Sequence, residues 1–331
     1  MKAITRISIV FIALASIPFF SSWGTFGHEH INRAAVLALP DSMRSFFFNH
    51  IDYVTQESTV PDLRKYTMQD KAEAPRHYID LEKFGTIDSI PWNLAEATLK
   101  YKTEFLNEFG ILPWYIQEMM EKLTKAFKGK RKTEILFLAS DLAHYIGDAH
   151  MPLHTSVNHD GQLTDQRGIH ALWESRLPEM FGPNYNYKVP QAVYIKDIQK
   201  NTWELIFHSF KLADTVLYKD RALRKKMSKD KIFKLDEKGN IKKNKFNQQV
   251  FTDDYSEKYH EELNGMVENQ MRTAISCVTN YWYTAWVNAG KPDLSDLDPP
   301  YVTKQNEADL NDALRVLKYG KLQGIESEKE F

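Results

Sequence analysis

Two pairs of residues at helical spacing raise the question of chemistry. His144 and Asp148 stand four apart, as do His170 and Glu174, so on a helix each pair shares a face and could grip one cation. Taken singly, such a pair is more often a surface hydrogen bond than a ligand set. Here two pairs occur with further histidines and acids at metal-ligand spacing: Trp23-Gly-Thr-Phe-Gly-His28, Pro61-Asp62, Arg76-His77-Tyr-Ile-Asp80 and Pro152-Leu-His154. His144 lies in a mostly apolar run, residues 136–147, which predicts burial. A buried, uncompensated Asp148 would be costly there, and a metal ion would remove the cost. Gly147 leaves room for close approach, and Pro152 bends the chain so that His154 can face a second ion. Imidazole nitrogen with carboxylate oxygen suits zinc, and a thiolate site is excluded because Cys277 is the only cysteine. His30, His50, His159, His208 and His260 lack matching partners and read as surface or core residues, and His150 sits in the motif without an assigned role.

The elements that must position these residues read as helices. Residues 94–127 carry apolar positions near a 3.6 period, broken at Gly110 and Pro113, which predicts two helices with a bend. Residues 133–148 predict a helix capped by Thr133, residues 169–177 a shorter one, and residues 257–288 one long helix closed by Gly290-Lys-Pro. A proline-bearing tail, residues 291–331, should wrap the surface with a short helix over 306–318. Between 219 and 245 stand 12 basic and 4 acidic residues, with Glu237-Lys-Gly-Asn240 as a turn between short polar strands. This basic insertion, extending over 219–250, reads as a solvated lysine-rich loop, with a phosphate-binding arm as the alternative. No internal repeat, glycine-rich phosphate loop or G-x-S-x-G elbow occurs, so nucleotide folds and serine hydrolases recede.

The whole chain is 331 residues, 43% hydrophobic, with a net charge of −1. That balance predicts an ordinary globular core and no global field that would draw the protein to a polyanion. Residues 1–22 read as an export signal: Lys2 and Arg6, an apolar run over 7–20 too short for a comfortable membrane span, then Ser21-Ser22. Ala13-Leu14-Ala15 offers a competing cleavage site. A secreted or periplasmic location follows from that reading. With a single cysteine no internal disulfide can form, so stability must come from packing or bound ions. One main domain, residues 23–290, is the simplest organisation, without a stable protein partner and monomeric.

Together these motifs resemble the superfamily that joins the S-one/P-one type single-strand nucleases to the bacterial zinc-dependent phospholipases C. The likeness runs over about 23–177 and more loosely through the final long helix. It implies an all-α multi-helix bundle with a cleft holding three zinc ions, plus the small lysine-rich insertion. By the same resemblance, the free amine and carbonyl of Trp23 with His28 would bind one zinc. Asp62, His77 and His144 would bind a second, Asp148 would bridge these two, and His154, His170 and Glu174 would bind the third. Two close ions with a shared water, and a third facing the leaving oxygen, suit phosphodiester hydrolysis, with Asp62 orienting the water and Asp148 at the geometric centre. Arg64 or Lys65 would touch the phosphate; the nucleases carry an arginine where Lys65 stands. The Trp23-to-His28 step and His77-Tyr78-Ile79-Asp80 look nuclease-like, with Tyr78 to stack on a base and Asp80 to accept from it. Gly168-Ile-His170-Ala-Leu-Trp-Glu174 and the short step from His154 to His170 look like the phospholipase branch. The expected substrates are therefore single-stranded nucleic acid and 3′-nucleotides, with a phospholipid headgroup ester as the alternative and a non-catalytic zinc protein as the third reading.

Overall fold

The protein, a computed structural model, is described over residues 24–244 and 247–325. Trp23 and the expected export signal lie outside the described residues. The first helices are short: α1 (Gly24–Ala38), α2 (Asp41–Phe48), α3 (Ile51–Glu57) and α4 (Val60–Tyr66). Longer ones follow: α5 (Leu94–Phe109), α6 (Leu112–Lys128) and α7 (Lys132–His150). A continuous helical segment then comprises α8 (Ile169–Ala171), a π-helical turn (Leu172–Arg176) and α9 (Leu177–Phe181). The chain closes with α10 (Ile198–Arg224), α11 (Lys229–Ile232), α12 (Asp253–Glu262), α13 (Met266–Asn288) and α14 (Pro300–Leu317). Among the described residues no strand forms, and no helix is long and apolar enough to cross a membrane. The fold is all-α.

The core explains the order of the layers. α7 is central: it packs against α6, α13, α1 and α3, and buries Leu142, Ala143, Tyr145, Ile146 and Ala149 completely. Because apolar residues surround this helix, His144 and Asp148 are carried into the interior with it. α13 supplies Trp282, stacked on Phe47 with ring centroids 5.0 Å apart and its indole N–H donating to the Ala139 carbonyl at 3.0 Å. Fully burying one such ring contributes about 1.5–3 kcal/mol, so this layer is a main anchor of α7.

Several expectations hold and others are corrected. The break between α5 and α6 falls at Gly110, whose φ of +92° no other residue adopts comfortably. A Cβ there would lie 2.0 Å from the Tyr78 carbonyl oxygen, so the glycine lets the end of α5 press onto the Tyr78–Asp80 backbone. Thr133 is not a cap; it sits inside α7, which starts at Lys132 without a side-chain cap. The long helix expected over 257–288 is two, because Asn264 and Gly265 both take positive φ (49° and 77°) and break the helix between α12 and α13. The basic stretch begins as the last turn of α10, and its expected strands are only isolated bridges, Phe233 with Phe251, Leu235 with Ile241 and Lys243 with Gln249. The tail helix is longer than expected and lies on α2. Arg33 of α1 clasps the tail by donating to the Gln323 carbonyl at 2.8 Å.

Candidate metal centre and cleft

Four elements converge on one carboxylate. α7 presents His144 and Asp148 one turn apart; the short 3-10 turn Pro152–Thr155, started by Pro152, turns His154 back toward them. α1 brings His28, and it approaches closely because Gly24, at φ +52°, lies against Ser175 with no room for a Cβ. The 3-10 turn Ala74–His77 brings His77 from the opposite side. Asp148 Oδ1 lies 3.5 Å from both His28 Nε2 and His154 Nδ1, while Oδ2 lies 2.9 Å from His77 Nδ1 and 3.3 Å from His144 Nε2. His28 and His144 stack at 3.9 Å. Asp62, in the first turn of α4, comes within 3.7 Å of His77 Nδ1.

Beside this cluster His170 Nε2 lies 3.1 Å from Glu174 Oε2 and 3.2 Å from His154 Nε2. The π-turn carries Glu174 back onto the face of His170. Three buried groups could therefore hold a metal ion, His28–His144–Asp148, Asp62–His77–His144 and His154–His170–Glu174, the ligand atoms of each lying within 4.8 Å of one another. The structure supports the fit. Among the described residues, both ring nitrogens of His28, Asp148 Oδ1 and His154 Nδ1 are buried without a hydrogen-bond partner. Each such atom costs about 1–3 kcal/mol, a penalty that a cation at this point would remove. Imidazole and carboxylate donors without thiolate match zinc or a similar divalent ion.

The protonation states favour the same chemistry. Burial pushes Glu174 up to about 8 and lowers His154 to about 4; burial likewise lowers His28 and His144. Burial alone would raise Asp148 as well, but His144 and His154 beside it outweigh that and hold it well below the carboxylate range. The outer nitrogens are fixed too. His144 Nδ1 donates to the Ser58 carbonyl at 2.7 Å and His170 Nδ1 to the His159 carbonyl at 2.8 Å, so each turns an Nε2 lone pair inward.

His77 is turned the other way, Nδ1 inward, with Nε2 3.5 Å from Glu73 Oε1. Glu73 is fully buried; it accepts from Tyr145, from Arg64 Nε at 3.0 Å and from Arg76 at 2.8 Å. Arg64 also donates to Asp141 at 2.6 Å. This network ties together the backs of the segments carrying Asp62, His77 and His144. Arg64 is thus held by Glu73 and Asp141 and is not among the residues that line the cavity above the cluster. Sequence reasoning missed Glu73, Asp141 and Tyr145, although Glu73 stands four before His77, the very spacing that drew attention to the other pairs.

Above the cluster opens a cavity of about 380 Å³, with His77, His154 and His170 at its base and Lys65, Tyr66, Tyr78, Asp80, Glu108 and His159 around it. Lys65 follows Asp62 by one helical turn, and its ammonium lies 4.6 Å over the Tyr66 ring. Tyr78 is half-buried and pinned, its hydroxyl donating to the Glu108 carbonyl at 2.9 Å. Burial, then Glu82, raises Asp80 to about 6. Tyr78, Asp80 and Lys65 thus line one cavity. His30 and His150 are buried away from it and donate to the Phe26 and Ile146 carbonyls.

The S1/P1 Nuclease family matches residues 23–276. Nuclease S1 of Aspergillus oryzae is 24% identical over 207 residues, covering 58% of this chain and 66% of that protein, slightly under two thirds of its length.

Proposed function

Because this chain belongs to the S1/P1 nuclease family, we propose that it is a zinc-dependent phosphodiesterase whose substrates are single-stranded nucleic acid and 3′-nucleotides. The observation that carries the reading is the convergence of three buried His/carboxylate groups beneath a cleft that offers an aromatic ring, a carboxylate and a lysine. In this reading Trp23, His28, Asp62, His77, His144, Asp148, His154, His170 and Glu174 hold three zinc ions. Residues 1–22 are an export signal, the protein acts outside the cytoplasm as a monomer, and 23–290 form the working domain.

Bound in these groups, zinc supplies Lewis-acid charge that makes water a nucleophile at neutral pH and stabilises the departing oxygen. The chain does the rest. Asp148 reaches toward both sides of the cluster with its two oxygens and fixes the spacing of the groups. Asp62, beside His77 Nδ1 at 3.7 Å, orients the attacking water and accepts its proton on a carboxylate oxygen. Lys65 holds a phosphate oxygen as a point charge, without the bidentate fork that an arginine would offer. Tyr78 gives a base its stacking surface, held rigid by Glu108, while Asp80 accepts from a base N–H.

The phospholipase reading keeps one specific support, the Gly168-to-Glu174 segment with glutamate as the acid. A side-by-side hydrolysis assay separates the two: zinc-loaded protein beginning at Trp23 is offered single-stranded DNA, RNA and phosphatidylcholine, with Asp148→Asn as the blank. Cleavage of nucleic acid alone is expected. Cleavage of lipid alone transfers the protein to the phospholipase branch, and no cleavage despite bound zinc leaves a non-catalytic metal protein.

A further inference from the structure

The basic stretch between α10 and α12 takes no part in the cleft, yet its charge and its seat are both unusual. Residues 219–245 hold 12 basic and 4 acidic side chains, while the whole chain is at −1, so the remainder of the protein is as strongly acidic as this stretch is basic. The described part is not a free loop. After α11 the backbone runs back and forth as a narrow ribbon: Lys242 N donates to the Lys234 carbonyl at 2.8 Å, Lys234 N to the Val250 carbonyl at 2.8 Å, and Val250 N to the Lys242 carbonyl at 3.0 Å. Asp236 closes its turn by accepting from the Lys238 and Asn240 amides.

Alternation along extended backbone gives the ribbon two faces. Phe233 and Phe251 lie on one and are buried, under the Arg224 guanidinium at 5.4 and 5.5 Å. That face is seated on the loop leading to His170, since the Phe251 ring would lie 3.3 Å from a Cβ at Gly168. Arg224 also donates to the Gln166 carbonyl at 3.3 Å in the same loop. Lys234 and Lys242 lie on the other face and are exposed. Lys231 at the end of α11 and Lys238, Lys242 and Lys243 on the ribbon are all exposed; among the described residues none makes an ion pair with a carboxylate, although Asp230 feels the charge of Lys231 and Asp236 that of Lys242, whereas Lys234 is paired with Asp253 at 3.2 Å. Holding several like charges together on an ordered scaffold costs self-repulsion that an opposite charge from outside would relieve.

We propose that this ribbon is a docking surface for the phosphate backbone of a single-stranded nucleic acid, gripping the part of a long substrate that extends beyond the cleft. The proposal rests on the nuclease reading of the cleft and adds to it a preference for long over short substrates. Contacts of this kind are independent of sequence and weaken steeply with salt, with a slope of about −0.7 per phosphate neutralised on a single strand. A 3′-mononucleotide fills the cleft alone and gains nothing from them.

The test neutralises four exposed lysines together, Lys231→Gln, Lys238→Gln, Lys242→Gln and Lys243→Gln, in the zinc-loaded protein, with the melting temperature as the check on folding. KM is measured against salt for a thirty-nucleotide single strand and for a 3′-mononucleotide. KM for the long strand should rise about tenfold or more at low salt and its salt slope should fall by about 2 to 3, while kcat and the mononucleotide parameters stay unchanged. Unchanged long-strand values overturn the proposal. Binding of labelled oligo(dT) to the Asp148→Asn protein, with and without the four substitutions, reads the ribbon without catalysis, so a failed nuclease reading and a failed docking surface are told apart. Loss of binding to anionic vesicles, with oligo(dT) binding intact, would also overturn it and give the ribbon to a membrane.

Discussion

Glu174 offers the sharpest perturbation, because its effect on stability should reverse sign with the metal. Its side chain is 1% exposed, and burial raises its pKa from an ordinary 4.5 to about 8 when no cation is present. The folded metal-free protein then holds a proton that the unfolded chain has lost, so stability falls as pH rises from about 4.5 to about 8 and levels off above. At about 1.4 kcal/mol per pKa unit the cost is about 3 kcal/mol at pH 7 and about 4–5 kcal/mol above pH 8. Glu174→Gln is neutral and nearly isosteric and escapes that cost. After exhaustive chelation the variant should therefore be the more stable protein at pH 8, and the gap should close toward pH 5. With zinc restored the order inverts, because a carboxylate ligand to the His154–His170 group is gone. Thermal unfolding at pH 5, 6, 7, 8 and 9, with and without zinc, reads all of this. If the metal-free variant is the less stable of the two at pH 8, burial does not hold a proton on Glu174 and the reasoning from its pKa fails.

Three further outcomes follow from the same geometry. Asp148→Asn should abolish phosphodiester cleavage and lower the bound zinc, measured by elemental analysis, since one carboxylate faces both sides of the cluster; full activity would refute the cluster. Glu73→Gln removes the charge behind His77 and should lower zinc affinity about 10- to 100-fold, read by metal titration, while Glu73→Asp restores part of it. Gly110→Ala places a methyl group against the Tyr78 carbonyl at an unfavourable φ; it should cost about 2–4 kcal/mol in denaturant unfolding and raise KM for nucleotides more than it lowers kcat.

Much of the candidate site was legible because helical spacing is a local property. His144 with Asp148, and His170 with Glu174, need only one turn of backbone to become neighbours, and both pairs do. The bend at Gly110 was legible for the same reason. The hold on Arg64 was not legible because one of its partners is distant in the chain: Asp141 is 77 residues away, and only the packing of α4 on α7 brings them together. Glu73 was missed because its segment is a turn, where four-residue spacing carries no periodic signal. α10 went unnoticed although Trp203, Ile206, Ala213, Val216 and Leu217 recur on one face, since lysines and aspartates interleave with them and lower the apolar contrast. The split of α12 from α13 depended on two residues at positive φ, a choice that Asn264 and Gly265 permit but do not compel.

The π-turn at Leu172–Arg176 has a consequence for how this region can change over generations. A π-turn holds one residue more than the α-helical turn it replaces and is the less stable of the two. Losing one residue there would restore a regular α-helical turn and leave the helix downstream facing nearly as before, because the wide turn takes up the extra residue locally. Arg176 would keep its reach to Ser256 and Asp253 and Leu177 its place in the core, while the residues inside the turn, Glu174 among them, would shift. A change of one residue in length at this turn is thus felt first by the cation site and hardly at all by the packing of α9.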